Sequence, residues 1–247
     1  KNGEAFIVAL TGLSWGLGYL GQPHLLIRFM AIKRSKDIKI ARRIALFWAF
    51  PAVIGAFFVG VVSLLHFGPS YFVTIDPEKA MPLLSKSIMH PILAGLFISG
   101  AVSAMMSTAD SQLLVSSSAI TEDLLFKFKK IMPKNIVTLN RLVVVLIGVI
   151  AYCIAIYSEV KGNNIFSIVS YAWSGLGSAF GPVLLMSLWW KKMNRNGVIA
   201  GIFTGFFTTI VWSNIPFLNE FITERLSSFI FSFISAYIAS TIYHDKN

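Results

Sequence analysis

The sequence predicts an all-α, polytopic membrane protein, and its composition and apolar runs both support that class. Of the 247 residues, 55% are hydrophobic and only 13% are charged, whereas a soluble domain usually carries about a quarter charged residues. Several apolar runs exceed the ~18 residues expected of a membrane-spanning helix. A membrane β-barrel would show alternating apolar and polar residues, which these runs lack. We therefore expect a bundle of membrane-crossing helices.

Seven apolar runs are predicted to cross the bilayer. They are Ala5–Met30, Ile40–Phe67, Pro91–Leu125, Ile136–Tyr157, Ile165–Trp190, Gly197–Ile215 and Phe221–Tyr243. Fifteen Lys and Arg residues fall in or beside alternate connections (Arg28–Arg43, Lys127–Arg141 and Lys191–Arg195), and the other connections hold four. Because basic loops stay in the cytoplasm, we predict a cell-membrane protein with a cytoplasmic C-terminus. The same bias accounts for the net charge of +10 without a nucleic-acid partner.

The first crossing contains a predicted interruption at Trp15–Pro23. Three glycines are followed there by a proline, and both residue types weaken a helix interior. Transporters use broken helices to hold substrates and ions near the bilayer midplane. Trp15 and Tyr19 flank the break and offer apolar faces with polar tips. The alternative is a kinked helix whose glycines only permit close packing.

The second and third crossings are joined by a long outer connection, and the third is itself unusually long. Asp76-Pro77-Glu78 predicts a turn into a short helix, which is either a gate over the outer mouth or an interfacial helix. The third segment, Pro91–Phe128, has 38 residues, or ~57 Å of helix at 1.5 Å per residue. It must therefore tilt, bend or project beyond the membrane.

The third crossing also carries a row of small and hydroxyl residues. Ala104, Ser107, Thr108 and Ser111 are spaced by three or four residues, so they share one helix face. Hydroxyl and carbonyl oxygens suit a bare alkali cation, although such hydroxyls also bond back to their own helix. Asp110 is the carboxylate that we place deep in a crossing, where it would bind a second cation, carry a proton or form an ion pair.

The remaining crossings carry fewer functional signals. The fourth is predicted to be scaffold, and the last two peripheral. In the fifth, residues 170–182 contain three glycines and a proline, which indicate either a flexing gate or close helix packing. The histidines lack metal-ligand spacing, and we find neither a nucleophile with a nearby base nor a phosphate-binding loop. We therefore predict that the protein is not an enzyme.

Several motifs together resemble the sodium:solute symporter family over nearly the whole chain. They are Trp15–His24 with Arg28–Ala31, Met106–Val115 with Ser117–Asp123, Trp173–Pro182, and Asn194–Gly197. The resemblance implies a fold of two inverted five-helix repeats with flanking helices. This chain would supply the second repeat as residues 1–190 and two peripheral crossings as residues 191–247. The first repeat would belong to a missing N-terminal half of the same protein.

The resemblance also implies roles for individual residues. Trp15, Tyr19 and Pro23 match positions tied to substrate binding in the family's proline transporters, and we add Gly18 and Gln22 from the same break. The Ala104 carbonyl and the Ser107 and Thr108 hydroxyls match sodium ligands.

Two further positions concern a second ion. Asp110 and Ser111 fall where some relatives place hydroxyls for a second sodium, and the carboxylate at position 110 departs from that pattern.

The predicted function is sodium-coupled import of a small zwitterion, with L-proline expected, by alternating access. Na⁺ is the expected ion, and the expected partners are the solute, the lipid bilayer and the missing half of the protein. One alternative is symport of another solute, such as pantothenate, a sugar or sialic acid. The other is a membrane sensor built on a transporter-like module.

Overall fold

The computed structural model describes residues 2–128, 135–162, 164–215, 217–218 and 222–242, with the backbone alone at 2–8 and 126–128. Within these ranges the regular structure is entirely helical, which confirms the predicted all-α class. The α-helices are α1 (Asn2–Tyr19), α2 (Pro23–Met30), α3 (Asp37–Phe67), α4 (Tyr71–Thr74), α5 (Ala80–Ile88), α6 (Pro91–Ser118), α7 (Ile136–Val160), α8 (Ile165–Trp189), α9 (Arg195–Ser213) and α10 (Glu224–Ile242).

Six helices in the described ranges are long and apolar enough to cross a membrane: α3, α6, α7, α8, α9 and α10. They agree with six of the predicted crossings to within a few residues, and they make this a multi-pass membrane protein. The first predicted crossing is divided between α1 and α2. Lys129, Lys130 and Lys134, which contributed to the predicted charge bias, lie outside the described residues.

The helices form two compact units. The terminal unit comprises residues 1–28 and 162–247 and contains α1, most of α2, and α8 to α10. The central unit comprises residues 29–161 and contains α3 to α7. Each is described by itself below.

Small residues form the core of the terminal unit. Helices α8, α9 and α10 pack against one another, and α1 contacts both α8 and α10. On α9, Gly197 and Gly201 face α10, and Gly205 faces Ser178 and Ala179 of α8. The small residues of α10 that are 0% exposed are Ser228, Ser232, Ala236 and Ser240. A Cβ at Gly201 would lie 3.0 Å from the Ala236 Cβ. Residues without bulky side chains let these helices approach closely, as is typical of helices packed in a membrane.

In the central unit, α5 contacts α3 and α6, and α6 contacts α7. A short 3₁₀ turn, Pro77–Lys79, precedes α5, and the Asp76 side chain caps it by accepting from the Glu78 N–H at 3.0 Å. This arrangement confirms the predicted turn into a short helix. The third crossing runs as α-helix to Ser118 and then as π-helix from Ala119 to Phe128.

Candidate substrate and cation sites

The first predicted crossing is interrupted between Tyr19 and Pro23. The helical bonding pattern gives way to tight turns, in which Leu20 N–H donates to the Leu17 carbonyl at 3.3 Å and Gly21 N–H to the Gly18 carbonyl at 3.2 Å. Pro23 has no N–H to donate and begins α2, a position that suits its fixed φ. The interruption therefore follows from the glycine and proline chemistry of this stretch.

Gln22 satisfies part of the opened backbone. Its side chain is 2% exposed, and Nε2 donates to the Gly18 carbonyl at 3.3 Å. A carbonyl at a helix end needs such a partner when it is buried. The side chain of Gln22 thus closes the end of α1.

The glycines near the break bring two helix backbones into contact. A Cβ added to Gly18 would collide with the Trp173 indole, and one added to Gly21 would collide with the Leu176 carbonyl. From the other side, a Cβ on Gly177 would lie 2.5 Å from the Gly18 Cα. Helix α8 itself continues without interruption through Pro182. These contacts favour close packing over a flexing gate for residues 170–182.

Aromatic side chains form a partly open surface directly before the break. Tyr19 packs edge-to-face on Trp173, with ring centroids 4.8 Å apart, and remains 57% exposed. The Trp173 Nε1–H donates to the Trp15 carbonyl at 3.3 Å, and the two indoles lie 6.3 Å apart. Rings of this kind supply apolar contact to a small solute while their polar tips meet water or polar groups.

Sequence reasoning missed two charged residues beside this surface. Arg225 is 6% exposed, and its guanidinium carbon lies 4.6 Å from the centre of the Trp15 ring. The neighbouring Glu224 accepts a hydrogen bond from the Ser174 hydroxyl at 2.8 Å. In the sequence, Arg225 was interpreted only as one of the four basic residues in the less basic connections. Its position at the start of an apolar run was the available signal.

The predicted cation ligands gather around one carbonyl in the central unit. The Ser107 hydroxyl donates to the Ala104 carbonyl at 2.8 Å, and the Thr108 hydroxyl does so at 3.3 Å. Ser111 donates one turn later to the Ser107 carbonyl at 3.0 Å. This is the back-bonded arrangement that the sequence left open as an alternative. It also places three oxygens of one helix close together, which is a donor set that suits a hard cation.

The predicted cation residues lie on the surface of the central unit. Ser107, Thr108 and Asp110 are all exposed, while Ser111 is half-buried. The structure therefore groups the predicted cation residues on α6. It groups the predicted substrate residues, Trp15, Gly18, Tyr19, Gln22 and Pro23, around one break in the terminal unit.

Comparison with known proteins points to one family. The family described as "Sodium:solute symporter family" matches residues 4–205. The chain is 41% identical over 213 residues to the osmoregulated proline transporter OpuE of Bacillus subtilis, covering 85% of this chain and 43% of that protein. It is 40% identical over 216 residues to the high-affinity proline transporter PutP of the same organism, covering 86% and 45%. It is 39% identical over 223 residues to the sodium/proline symporter of Escherichia coli, covering 88% and 44%.

These matches confirm the resemblance that the sequence motifs indicated. The chain spans less than half the length of these curated relatives, and no solved structure matches it. The family and the relatives are transporters by their descriptions, in agreement with the prediction that the chain is not an enzyme. The family match covers most of the chain and includes both the broken helix and the hydroxyl-bearing face of α6, so this chain belongs to the sodium:solute symporter family.

Proposed function

We propose that the protein containing this chain imports L-proline together with sodium by alternating access. The observation that carries the proposal is the break between Tyr19 and Pro23, which lies beside the open aromatic surface of Tyr19 and Trp173. Transporters use breaks of this kind to hold a small solute near the bilayer midplane. The aromatic rings provide the apolar contact that a proline ring needs. Relatives named as proline transporters support this choice of solute.

Sodium is the proposed co-substrate, held by the Ala104 carbonyl and the hydroxyls of Ser107 and Thr108. For coupling, sodium must bind one conformation of the protein more tightly than the other. Three oxygens from one helix leave room for ligands from a second helix, so an ion bound here would bridge two elements. Asp110 and Ser111 are the proposed positions of a second cation, by their place on the same helix.

The remainder of the substrate cavity is proposed to come from another segment of the same protein. The chain covers 43–45% of the relatives described above, and residues 1–190 would form the second of two inverted repeats. Residues 191–247 would add two flanking crossings. The charge bias of the connections supports a place in the cytoplasmic membrane with the C-terminus inside. A reporter enzyme that is active only outside the cytoplasm, fused after Asn247, should be inactive.

Uptake of radiolabelled proline tests the proposed activity. The full-length protein is expressed in cells that lack their own proline transporters, and sodium is replaced by choline. We expect uptake to fall to background in choline. Excess unlabelled proline should compete with the label, whereas pantothenate, a sugar and sialic acid should not. Undiminished uptake in choline would refute sodium coupling, and competition by another solute alone would refute the choice of proline.

Two substitutions test the sodium ligands. Ser107→Ala and Thr108→Ala each remove one oxygen, so both should raise the sodium concentration needed for half-maximal uptake. Each lost ligand corresponds to about 1–3 kcal/mol, or roughly five- to 150-fold in sodium affinity. Ser103→Ala is the matched control because its exposed hydroxyl bonds at 2.8 Å to a different carbonyl, that of Ser99. If Ser107→Ala and Thr108→Ala need no more sodium for half-maximal uptake than Ser103→Ala does, Ser107 and Thr108 are not sodium ligands.

A further inference from the structure

The start of α10 buries an arginine inside a helix that is apolar enough to cross a membrane. Arg225 is 6% exposed, and a charged side chain in such a segment is costly unless it is paired or bonded. Its Nη1 donates to the Ser170 hydroxyl at 3.0 Å. Its Nε is buried and has no hydrogen-bond partner among the described residues. Hydrogen bonding alone therefore does not account for its position.

Neighbouring polar groups hold this part of α10 against α8. The Glu224 carboxylate accepts from the Ser174 hydroxyl at 2.8 Å, and the Ser178 hydroxyl donates to the Arg225 carbonyl at 3.4 Å. With Ser170, these serines recur every four residues and so lie along one face of α8. The beginning of α10 is thereby fixed along two turns of α8.

The guanidinium group of Arg225 lies over the indole of Trp15. The distance from its central carbon to the ring centre is 4.6 Å, well within the ~6 Å at which a cation is attracted to an aromatic face. Trp15 is also contacted by Phe166, with ring centroids 5.3 Å apart, and by Trp173. The indole is thus confined between aromatic rings and a cation, four residues before Tyr19.

An apolar side chain would fill the same space without desolvating a charge. Replacing a buried charge by a well-packed apolar group is often neutral or stabilising, so packing does not by itself explain an arginine here. An arginine differs in that its planar group both stacks on a ring and is oriented by a hydrogen bond. Those two properties fix the angle and position of the indole.

We propose that Arg225 is a positioning residue for the substrate surface, acting through Trp15. The proposal rests on the proposed function, because Trp15 is a proposed substrate residue. Arg225 is buried and holds the indole at the break, so that α10 contributes to solute affinity without touching the solute. Helix α10, which the sequence analysis predicted to be peripheral, would then influence the affinity of the transporter for its solute.

A double-mutant cycle in the full-length protein tests this role. Proline uptake at saturating sodium is measured for wild type, Arg225→Gln, Trp15→Phe and the double variant, with rates normalised to the amount of transporter in the membrane. A cation over an aromatic ring corresponds to about 0.5–2 kcal/mol, so Arg225→Gln should raise KM about two- to thirtyfold. The maximal rate should change less than about twofold. In the Trp15→Phe background, which offers a smaller ring, the effect of Arg225→Gln should be at most half as large on a logarithmic scale.

Two further variants complete the comparison. Arg225→Lys keeps a cation but loses the planar group, so it should restore part of the affinity. Lys161→Gln is the matched control because Lys161 also lies over an aromatic ring, that of Tyr157, at 5.7 Å, in the central unit. Its KM should equal that of wild type.

Each other outcome overturns a defined claim. A KM for Arg225→Gln equal to that of wild type, or an equal rise with and without Trp15, would overturn the role of Arg225 alone. Absent proline uptake by wild type would overturn the proposed function and this role with it. If Arg225→Gln does not accumulate, Ser170→Ala replaces it, because that variant removes the orienting hydrogen bond and keeps the charge. It should raise KM about threefold, and an unchanged KM would overturn the role.

Discussion

Replacing Gly177 by alanine should destabilise the protein through the contact between α1 and α8. The added Cβ would lie 2.5 Å from the Gly18 Cα and 3.2 Å from the Gly18 nitrogen. Carbon atoms in contact normally lie ~3.5–4.0 Å apart, so the two backbones must separate by about 1 Å. Because no flexible side chain can move aside, we expect the cost of overpacking, about 1–3 kcal/mol.

Gly16→Ala provides the matched control. Gly16 lies in α1, the helix whose Gly18 meets Gly177, and a Cβ there would meet nothing within 4 Å in the described structure. Alanine is favoured over glycine in a helix by about 0.5–1 kcal/mol, so this variant should be slightly stabilised. The two substitutions add the same methyl group and should shift stability in opposite directions.

Thermal unfolding measures the difference. The purified full-length protein is heated in detergent without solute or sodium, and the folded fraction is followed by gel filtration. The midpoint should fall for Gly177→Ala and stay level or rise for Gly16→Ala. A Gly177→Ala midpoint at or above that of wild type would refute the backbone contact between α1 and α8.

The same assay checks two further substitutions. Gln22→Leu removes the hydrogen bond from Nε2 to the Gly18 carbonyl, which keeps its bond from the Gly21 N–H, and should cost about 0.5–1.5 kcal/mol; wild-type stability would show that Gln22 does not contribute to closing the end of α1. Asn194→Ala removes the cap that accepts from the Gly197 N–H at 3.0 Å and the bond to the Ser240 carbonyl at 3.2 Å, for a cost of at least about 1 kcal/mol. Asn194→Asp keeps only the cap and should fall between alanine and wild type; equal effects of the two would contradict the separate contribution of the cap.

Local chemistry made several features predictable from the sequence. A proline and closely spaced glycines weaken any helix, so the end of α1 at Tyr19 and the start of α2 at Pro23 follow from the residues themselves. Helical periodicity alone places Ser107 and Thr108 beside the Ala104 carbonyl. The capping of Pro77–Lys79 by Asp76 follows from residues that are adjacent in the chain.

Long-range contacts were not predictable in the same way. Gly18 and Gly177 are far apart in the sequence, and no local sequence pattern indicates that their backbones are in contact. The sequence does not distinguish Arg225 from an arginine in an exposed loop, and only the packing of α10 on α8 shows that it is buried. One signal was available and not used: Gly197, Gly201 and Gly205 recur every four residues, as do Ser228 and Ser232. Such a repeat indicates a close helix–helix contact.

The direct meeting of backbones at Gly18, Gly21 and Gly177 bears on how the protein moves. Ordinary helix pairs slide past one another when interposed side chains change rotamer, but where Gly177 meets Gly18 and Gly21 meets Leu176 no side chain lies between the backbones. A tilt of α1 should therefore move α8 with it as one rigid body.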